Sequence, residues 1–279
     1  MNSSVPKVLS IAGVDPSGGA GILADVKAMS AMGSYGMAVV AALTAQNTQG
    51  VTSVYPVPPA FVSEQINAIF EDIEVHAVKL GMLGQQAVTR AVAESLQRWQ
   101  PPYLVLDPVM VAKSGDTLLE KPAIDELREG LLPLATVITP NLPEAGVLLA
   151  ERPVDTLKEM RKTAEKLRRL LPDNDGHWVL LKGGHLPGNN TIDLLHDGDR
   201  LIELPGQRIH THNTHGTGCT LSAALAALLA RYHDVPKAAK LAKQYLTGAI
   251  AKADTLHVGQ GNGPVHHFYP GLQAWQTPA

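Results

Sequence analysis

The sequence has only one cysteine in 279 residues, Cys219, so it forms no internal disulfide, and this fits a reducing compartment. Long apolar runs are missing. The longest early stretch, "VLSIAGV", is too short to span a bilayer, runs straight into Asp15 and lacks the layout of a secretory signal. Basic stripes and zinc-finger spacings are absent, and the formal charge of −3 is spread along the chain, which argues against nucleic acid as a partner. The composition therefore predicts a soluble cytoplasmic protein with neither membrane nor nucleic-acid partners. Its 45% hydrophobic content is enough for a substantial core.

Short aliphatic runs recur at 7–13, 37–43, 76–81, 103–107, 136–140 and 177–183, separated by longer helical patterns. Most are apolar on both alternating faces, as strands of a parallel sheet covered by helices should be. In "DTLKEMRKTAEKLRRLL", Leu157, Met160, Ala164, Leu167 and Leu171 repeat at spacings of three and four, predicting an amphipathic helix with Asp155 as its N-cap. Residues 191–209 break the alternation and read as two antiparallel strands around a His-Asp-Gly turn. Two helices follow, "GCTLSAALAALLARY" and "VPKAAKLAKQYLTGAIAKAD", the first apolar nearly all round and so expected to be buried. No repeat or linker divides the chain. The expectation is one α/β domain over 1–279 with a mainly parallel sheet, a core at about 7–252 and a tail at about 255–279.

Two glycine loops stand out. The first strand ends in "AGVDPSGGAGILADVKAM", whose glycines fit either a tight strand-to-helix turn or a close backbone approach to a ligand. Its spacing matches neither the dinucleotide-binding nor the P-loop fingerprint. The second loop is "THGTGCT", where Gly216, Thr217, Gly218 and Cys219 precede the buried helix. Two glycines and a helix start offer a concave run of N–H donors, suited to an anion such as a phosphate in transfer. A metal site built from His210, His212, His215 and Cys219 is the competing reading, and the glycine-rich turn favours the anion.

Taken in order, "AGVDPSGGAGI", "ALTAQNTQGV", "VKLGML", "LDPVMVAKSG", "TPNLPEA", "LLKGGH" and "HGTGCTLSAA" resemble the hydroxymethylpyrimidine/phosphomethylpyrimidine kinases of thiamine biosynthesis, members of the ribokinase-like superfamily. The resemblance runs from about residue 7 to about residue 252. It implies a three-layer fold, a mainly parallel central sheet with helices on both faces. It also implies two ATP-dependent steps. The first phosphorylates the hydroxymethyl group of 4-amino-5-hydroxymethyl-2-methylpyrimidine, and the second extends the monophosphate to the pyrophosphate. Members need Mg²⁺ and commonly form dimers, so a homodimer is expected here.

By the same resemblance, Gln46 recognises the aminopyrimidine, a task suited to an amide that both donates and accepts. Gly13, Asp25, Met82 and Val109 fall at other positions around the ring. Asp107 and Glu144 match the metal-side carboxylates, acting partly through water, as hard Mg²⁺ allows. Asn141, Glu144, Lys182 and Thr217 match nucleotide-side positions, Lys182 as a point charge for phosphate oxygens. Each has a plainer reading alone: Gln46 as a polar strand end, Met82 and Val109 as core, Glu144 as a first-turn helix acid. His266 and His267, in the tail, read as surface residues.

Cys219 departs from the broader superfamily, which commonly has an aspartate there as base. A carboxylate would repel a phosphorylated acceptor by roughly 4 kcal/mol at about 4 Å in an effective dielectric near 20. A thiol can stay neutral, or become a thiolate beside the anion hole and accept a proton in the first step. His215 is expected to assist as proton acceptor or as the partner of Cys219, with Gly216 and Gly218 supplying N–H donors. The plainer alternative is that only the backbone N–H of Cys219 matters. Competing functions are pyridoxal kinase or dual specificity, a Cys219–His215 hydrolase, and a non-catalytic pyrimidine-binding protein.

Overall fold

Strand residues alternate between two cores, and that alternation sets the layering. Leu9, Val78, Leu104, Leu106, Ile138, Val179 and Leu181 enter one buried cluster, while Val8, Ala77, Val105, Val137, Trp178 and Leu180 enter the other. Strands that are apolar on both sides need a helical cover on each face. The computed structural model describes residues 5–110 and 121–271. Its elements begin with β1 (Lys7–Val14), α1 (Gly21–Ala31), β2 (Tyr35–Gln46), β3 (Val51–Pro56), α2 (Pro59–Phe70), β4 (Ala77–Leu80), α3 (Gln86–Trp99), β5 (Leu104–Leu106) and α4 (Lys121–Glu126). They continue with β6 (Val137–Ile138), α5 (Leu142–Leu149), α6 (Leu157–Arg168), β7 (Trp178–Leu181), β8 (Asn190–His196), β9 (Leu201–Gln207), α7 (Thr217–Tyr232) and α8 (Val235–Ala251).

Among the described residues nine strands form one sheet in the order β3-β2-β1-β4-β5-β6-β7-β8-β9. The six from β2 to β7 run parallel, and β3, β8 and β9 add antiparallel edges. One face is covered by α2, α3, α5 and α6, the other by α1, α7 and α8. This is the three-layer α/β architecture with a mainly parallel sheet that the sequence predicted. The chain order reverses at β1, between β2 and β4, the position at which such sheets open a ligand crevice beyond their strand ends. Helix α7 is buried on nearly every side from Thr220 to Ala230, and its alanines let it lie close over the sheet.

The sequence reading needs three corrections here. Thr156, not Asp155, caps α6: its side chain accepts the Glu159 N–H and donates to the Glu159 carboxylate at 2.7 Å, a Thr-x-x-Glu pairing one residue later. Strand β3 was not expected, because its exposed residues show no alternation. His266 and His267 are buried at 5% and 4% exposure, since the tail folds back under α7 and α8. There Thr220 Oγ1 lies 3.0 Å from His267 Nε2, and the Tyr245 hydroxyl donates to the His267 carbonyl at 2.8 Å. Among the described residues no helix is long and apolar enough to cross a membrane.

Candidate active site

A cleft of about 490 Å³ opens beyond the strand ends. It collects Gly13 near the end of β1, Gln46 at the end of β2, Met82 after β4, and Asp107 and Val109 after β5. Asn141 and Glu144 reach it from the start of α5, Lys182 from the end of β7, and His215 to Cys219 from the start of α7. Two predicted residues lie elsewhere or do another task. The segment 111–115 of "LDPVMVAKSG" lies outside the described residues.

The first correction is Asp25. It does not line the cleft but sits fully buried on α1, accepting from Ser10 Oγ at 2.6 Å and from Lys79 Nζ at 2.8 Å. Burial pushes its carboxyl up, against the pull of the Lys79 ammonium and the Ser10 hydroxyl. Lys79, in β4, is the residue the sequence reading missed. Burial alone would lower it, but Asp25, Cys219 and Asp107 hold its ammonium well above the ordinary lysine value. It forms part of the cleft lining while both members of its ion pair are 0% exposed.

The second correction is His215. Its Nε2 lies 2.7 Å from Asp15 Oδ2, and no hydrogen bond joins its ring to Cys219. Asp15 also accepts from Ser17 N and Ala20 N, each at 2.9 Å, so this carboxylate ties the first glycine loop to the second. Burial raises the Asp15 carboxyl, but His215 and Ser17 outweigh it and keep it below its usual range.

Cys219 stands where two helix starts converge. Gly216, at φ 75°, precedes α7, and a Cβ there would overlap the Gly19 carbonyl, so only glycine brings the two loops this close. The N–H groups of Gly218 and Cys219 have no acceptor among the described residues, which makes the start of α7 a donor pocket. From α1, the Gly21 backbone hydrogen bond favours negative charge on the sulfur. Burial dominates nonetheless and pushes the thiol up to about 11, with Asp25 and Asp107 adding to it and Lys79 opposing. The thiolate expected as one possibility is therefore disfavoured, and this setting favours the neutral thiol.

On the other flank Lys182 Nζ sits 2.8 Å from Asp107 Oδ1 and 3.7 Å from Glu144 Oε2. Asp107 Oδ1 also accepts from Thr139 Oγ1 at 2.9 Å, and Oδ2 only weakly from Ser222 at 3.3 Å. Although burial raises Asp107, Lys182 and Lys79 hold it below the usual carboxylate range. Glu144 is pushed up to about 7 by burial, aided by Asp107 and opposed by Lys182. Asn141 and Glu144 form the capping box of α5, Asn141 N donating to Glu144 Oε2 at 2.7 Å and Glu144 N to Asn141 Oδ1 at 2.8 Å. The plainer reading of Glu144 thus holds as well, and it leaves Oε1 without a hydrogen bond among the described residues. Two carboxylates, each with one lightly used oxygen, suit a hydrated Mg²⁺ completed by phosphate oxygens rather than a closed protein cage.

The histidine–cysteine metal site does not form. His210 and His212 are exposed and outside the cleft, and the described residues contain no group of three or more metal-ligating side chains. Helix-start N–H groups without acceptors and a lysine between carboxylates, all in one cleft, describe an α/β phosphotransferase.

The chain belongs to the phosphomethylpyrimidine kinase family, whose sequence profile matches residues 15–266. It is 51% identical over 261 residues to the hydroxymethylpyrimidine/phosphomethylpyrimidine kinase of Rhizobium meliloti (strain 1021), covering 94% of this chain and 96% of that protein. Among solved structures it resembles a Bacillus subtilis pyridoxal kinase in complex with ADP, with TM-score 0.86 and 35% identity over 96% of this chain and all of that one. A phosphomethylpyrimidine kinase from Clostridium difficile matches with TM-score 0.77 and 40% identity, covering 88% of this chain and 99% of that one.

Proposed function

We infer that the chain transfers the γ-phosphoryl group of ATP first to the hydroxymethyl oxygen of 4-amino-5-hydroxymethyl-2-methylpyrimidine and then to the phosphate so formed. In each step the acceptor oxygen bonds to the γ-phosphorus, the bond from that phosphorus to the β–γ bridging oxygen breaks, and ADP leaves; in the first step the hydroxyl O–H bond also breaks and its proton passes to a phosphate oxygen or to water. The observation that carries this reading is one cleft lined by Gln46, by the unpaired N–H groups of Gly218 and Cys219 and by Lys182. The identity to named pyrimidine kinases supports it over almost the whole chain.

Phosphoryl transfer asks mainly for alignment and charge stabilisation. The Gly216–Cys219 N–H groups and Lys182 supply charge to the moving group. Gln46, Gly13, Met82 and Val109 hold the pyrimidine, while Asn141 and Thr217 border the nucleotide. Asp107 and Glu144 would hold Mg²⁺ through water, the ion neutralising the phosphates when bound. A neutral Cys219 leaves room for an acceptor that is a hydroxyl in one step and an anion in the next. Asp25 acts from behind, by fixing Lys79. The imidazole of His215 is bonded to Asp15 through Nε2 and makes no hydrogen bond to Cys219, so in this reading it orients the two glycine loops, and the missing Cys219 contact argues against the hydrolase reading.

A homodimer is part of the same reading, supported by an exposed apolar patch on the β2–β3 edge. There Leu43 pairs with Tyr55 beside Val54, and their exposures are 46%, 66% and 45%. A cytoplasmic location also belongs to this reading, in keeping with the unpaired thiol.

A second reading, pyridoxal kinase activity, is favoured by the likeness to the Bacillus subtilis enzyme. The deciding experiment measures ADP release with Mg-ATP and hydroxymethylpyrimidine, its monophosphate or pyridoxal in separate reactions. Turnover of both pyrimidines is expected, and ADP from pyridoxal alone would overturn the assignment.

A further inference from the structure

The pyrimidine end of the cleft is enclosed by a ring of ties that runs through the C-terminal tail. Thr44 Oγ1 donates to the Val14 carbonyl at 2.8 Å, joining the end of β2, beside Gln46, to the end of β1, where the first glycine loop begins. Asp15 joins that loop to His215 at 2.7 Å. The His215 N–H donates to the Gly263 carbonyl at 3.0 Å, and Gly263 N donates back to Asn213 Oδ1 at 3.1 Å. The ring closes at Thr48, whose carbonyl accepts from Asn262 N at 2.8 Å and whose Oγ1 accepts from Gly261 N at 3.1 Å. None of its members comes from the nucleotide flank of Asn141, Glu144 and Lys182.

The tail's alternating glycines make this approach possible. A Cβ at Gly261 would overlap the Thr48 carbonyl, and one at Gly263 would overlap the Asn213 carboxamide. Between them Asn262 forms part of the cleft wall.

We propose that Gly259–Gly263 is a positioning strap for the acceptor. It pins Thr48, two residues from Gln46, to the loop that ends in the anion pocket, and it places Asn262 beside the bound pyrimidine. The proposal rests on the kinase reading above. Binding energy from a substrate depends on a site already held in place, and misplacement by about 1 Å can cost about a hundredfold in rate. Loosening the strap should therefore weaken the acceptor and spare the nucleotide.

The test compares Gly263→Ala, Asn213→Ala and the double variant with the wild type, measuring KM for hydroxymethylpyrimidine and for ATP separately. In Gly263→Ala the acceptor KM should rise about tenfold or more, with the ATP KM unchanged. Asn213→Ala, which removes one tie without adding bulk, should raise it a few-fold, and this variant carries the test if Gly263→Ala does not fold. The double variant, in which the overlap is gone, should recover most of the loss of Gly263→Ala. Equal rises in both KM values, or an unchanged acceptor KM, would overturn the proposal. Hydrogen exchange on the same ligand-free proteins separates the strap from the functional reading. If the wild type does not phosphorylate the pyrimidine, that reading fails, and the strap is judged by exchange alone. Faster exchange in both 44–50 and 213–216 of Asn213→Ala supports it, and unchanged exchange in 44–50 refutes it.

Discussion

Two lysine–aspartate pairs of the same chemistry stand at the cleft with opposite orientation towards solvent, one in its wall and one behind it. Lys182–Asp107, on the nucleotide flank, keeps its lysine 15% exposed and Glu144 within 3.7 Å, so its charges face whatever binds. Lys79–Asp25, beneath the acceptor, is 0% exposed at both ends, and its charges answer each other. One flank is built to meet a polyphosphate. The floor under the acceptor is closed electrostatically, topped by a thiol that burial keeps neutral. An acceptor that arrives once as an alcohol and once as a phosphate needs such a floor, because a fixed negative charge there would favour one form over the other.

Breaking the closed pair should have the largest effect. Lys79→Met leaves a buried carboxyl without its cation and should cost about 3–5 kcal/mol in urea unfolding. Lys79→Met combined with Asp25→Asn should recover much of that, and a double variant as unstable as the single would contradict the pairing. Lys182→Ala, on the open flank, also takes a cation from the buried Asp107, but Lys79 still faces that carboxylate, so it should cost less stability than Lys79→Met while lowering kcat/KM about 10²–10³-fold, as loss of one positioned donor does elsewhere. If Lys182→Ala instead unfolds like Lys79→Met, the two pairs do not differ as described.

A smaller effect concerns the tail beneath both flanks. His267 is pushed down to about 4 by burial, with Lys27, His266 and His215 adding to it, so it folds neutral. The unfolded chain takes up this proton first on acidification. Its contribution is therefore full above the reference value near 6.5 and is lost as pH falls towards 4, about 3 kcal/mol in all. Urea midpoints for His267→Gln should fall less steeply than wild type between pH 6.5 and 4. Parallel profiles would mean that the imidazole is already charged in the fold.

The layering was legible because alternation in β1, β4, β5 and β7 already divides residues between two cores. Edge strand β3 was not, since exposed "VTSVYP" carries no such pattern. At the site, Gln46, Asp107, Lys182 and the Gly216–Cys219 loop could be picked out because ordered motifs surround them. Lys79 stood inside one of those motifs and was passed over as part of a strand. A lysine between Val78 and Leu80 in a strand covered on both faces must be buried and paired, and that was the available signal. Asp25, one turn into α1, was its partner and was read instead as a ligand-facing acid. The tail was opaque for another reason. "GQGNGPVHH" has neither helical nor strand period, and glycines at every second position imply close backbone approach without saying to what.

The most direct test of the account is Cys219→Asp, assayed with the hydroxymethylpyrimidine and with its monophosphate. A new carboxylate on the closed floor should lower the second phosphorylation at least about tenfold more than the first, because only the second acceptor is already an anion. Equal losses in the two steps would contradict the claim that a neutral floor lets one cleft serve both.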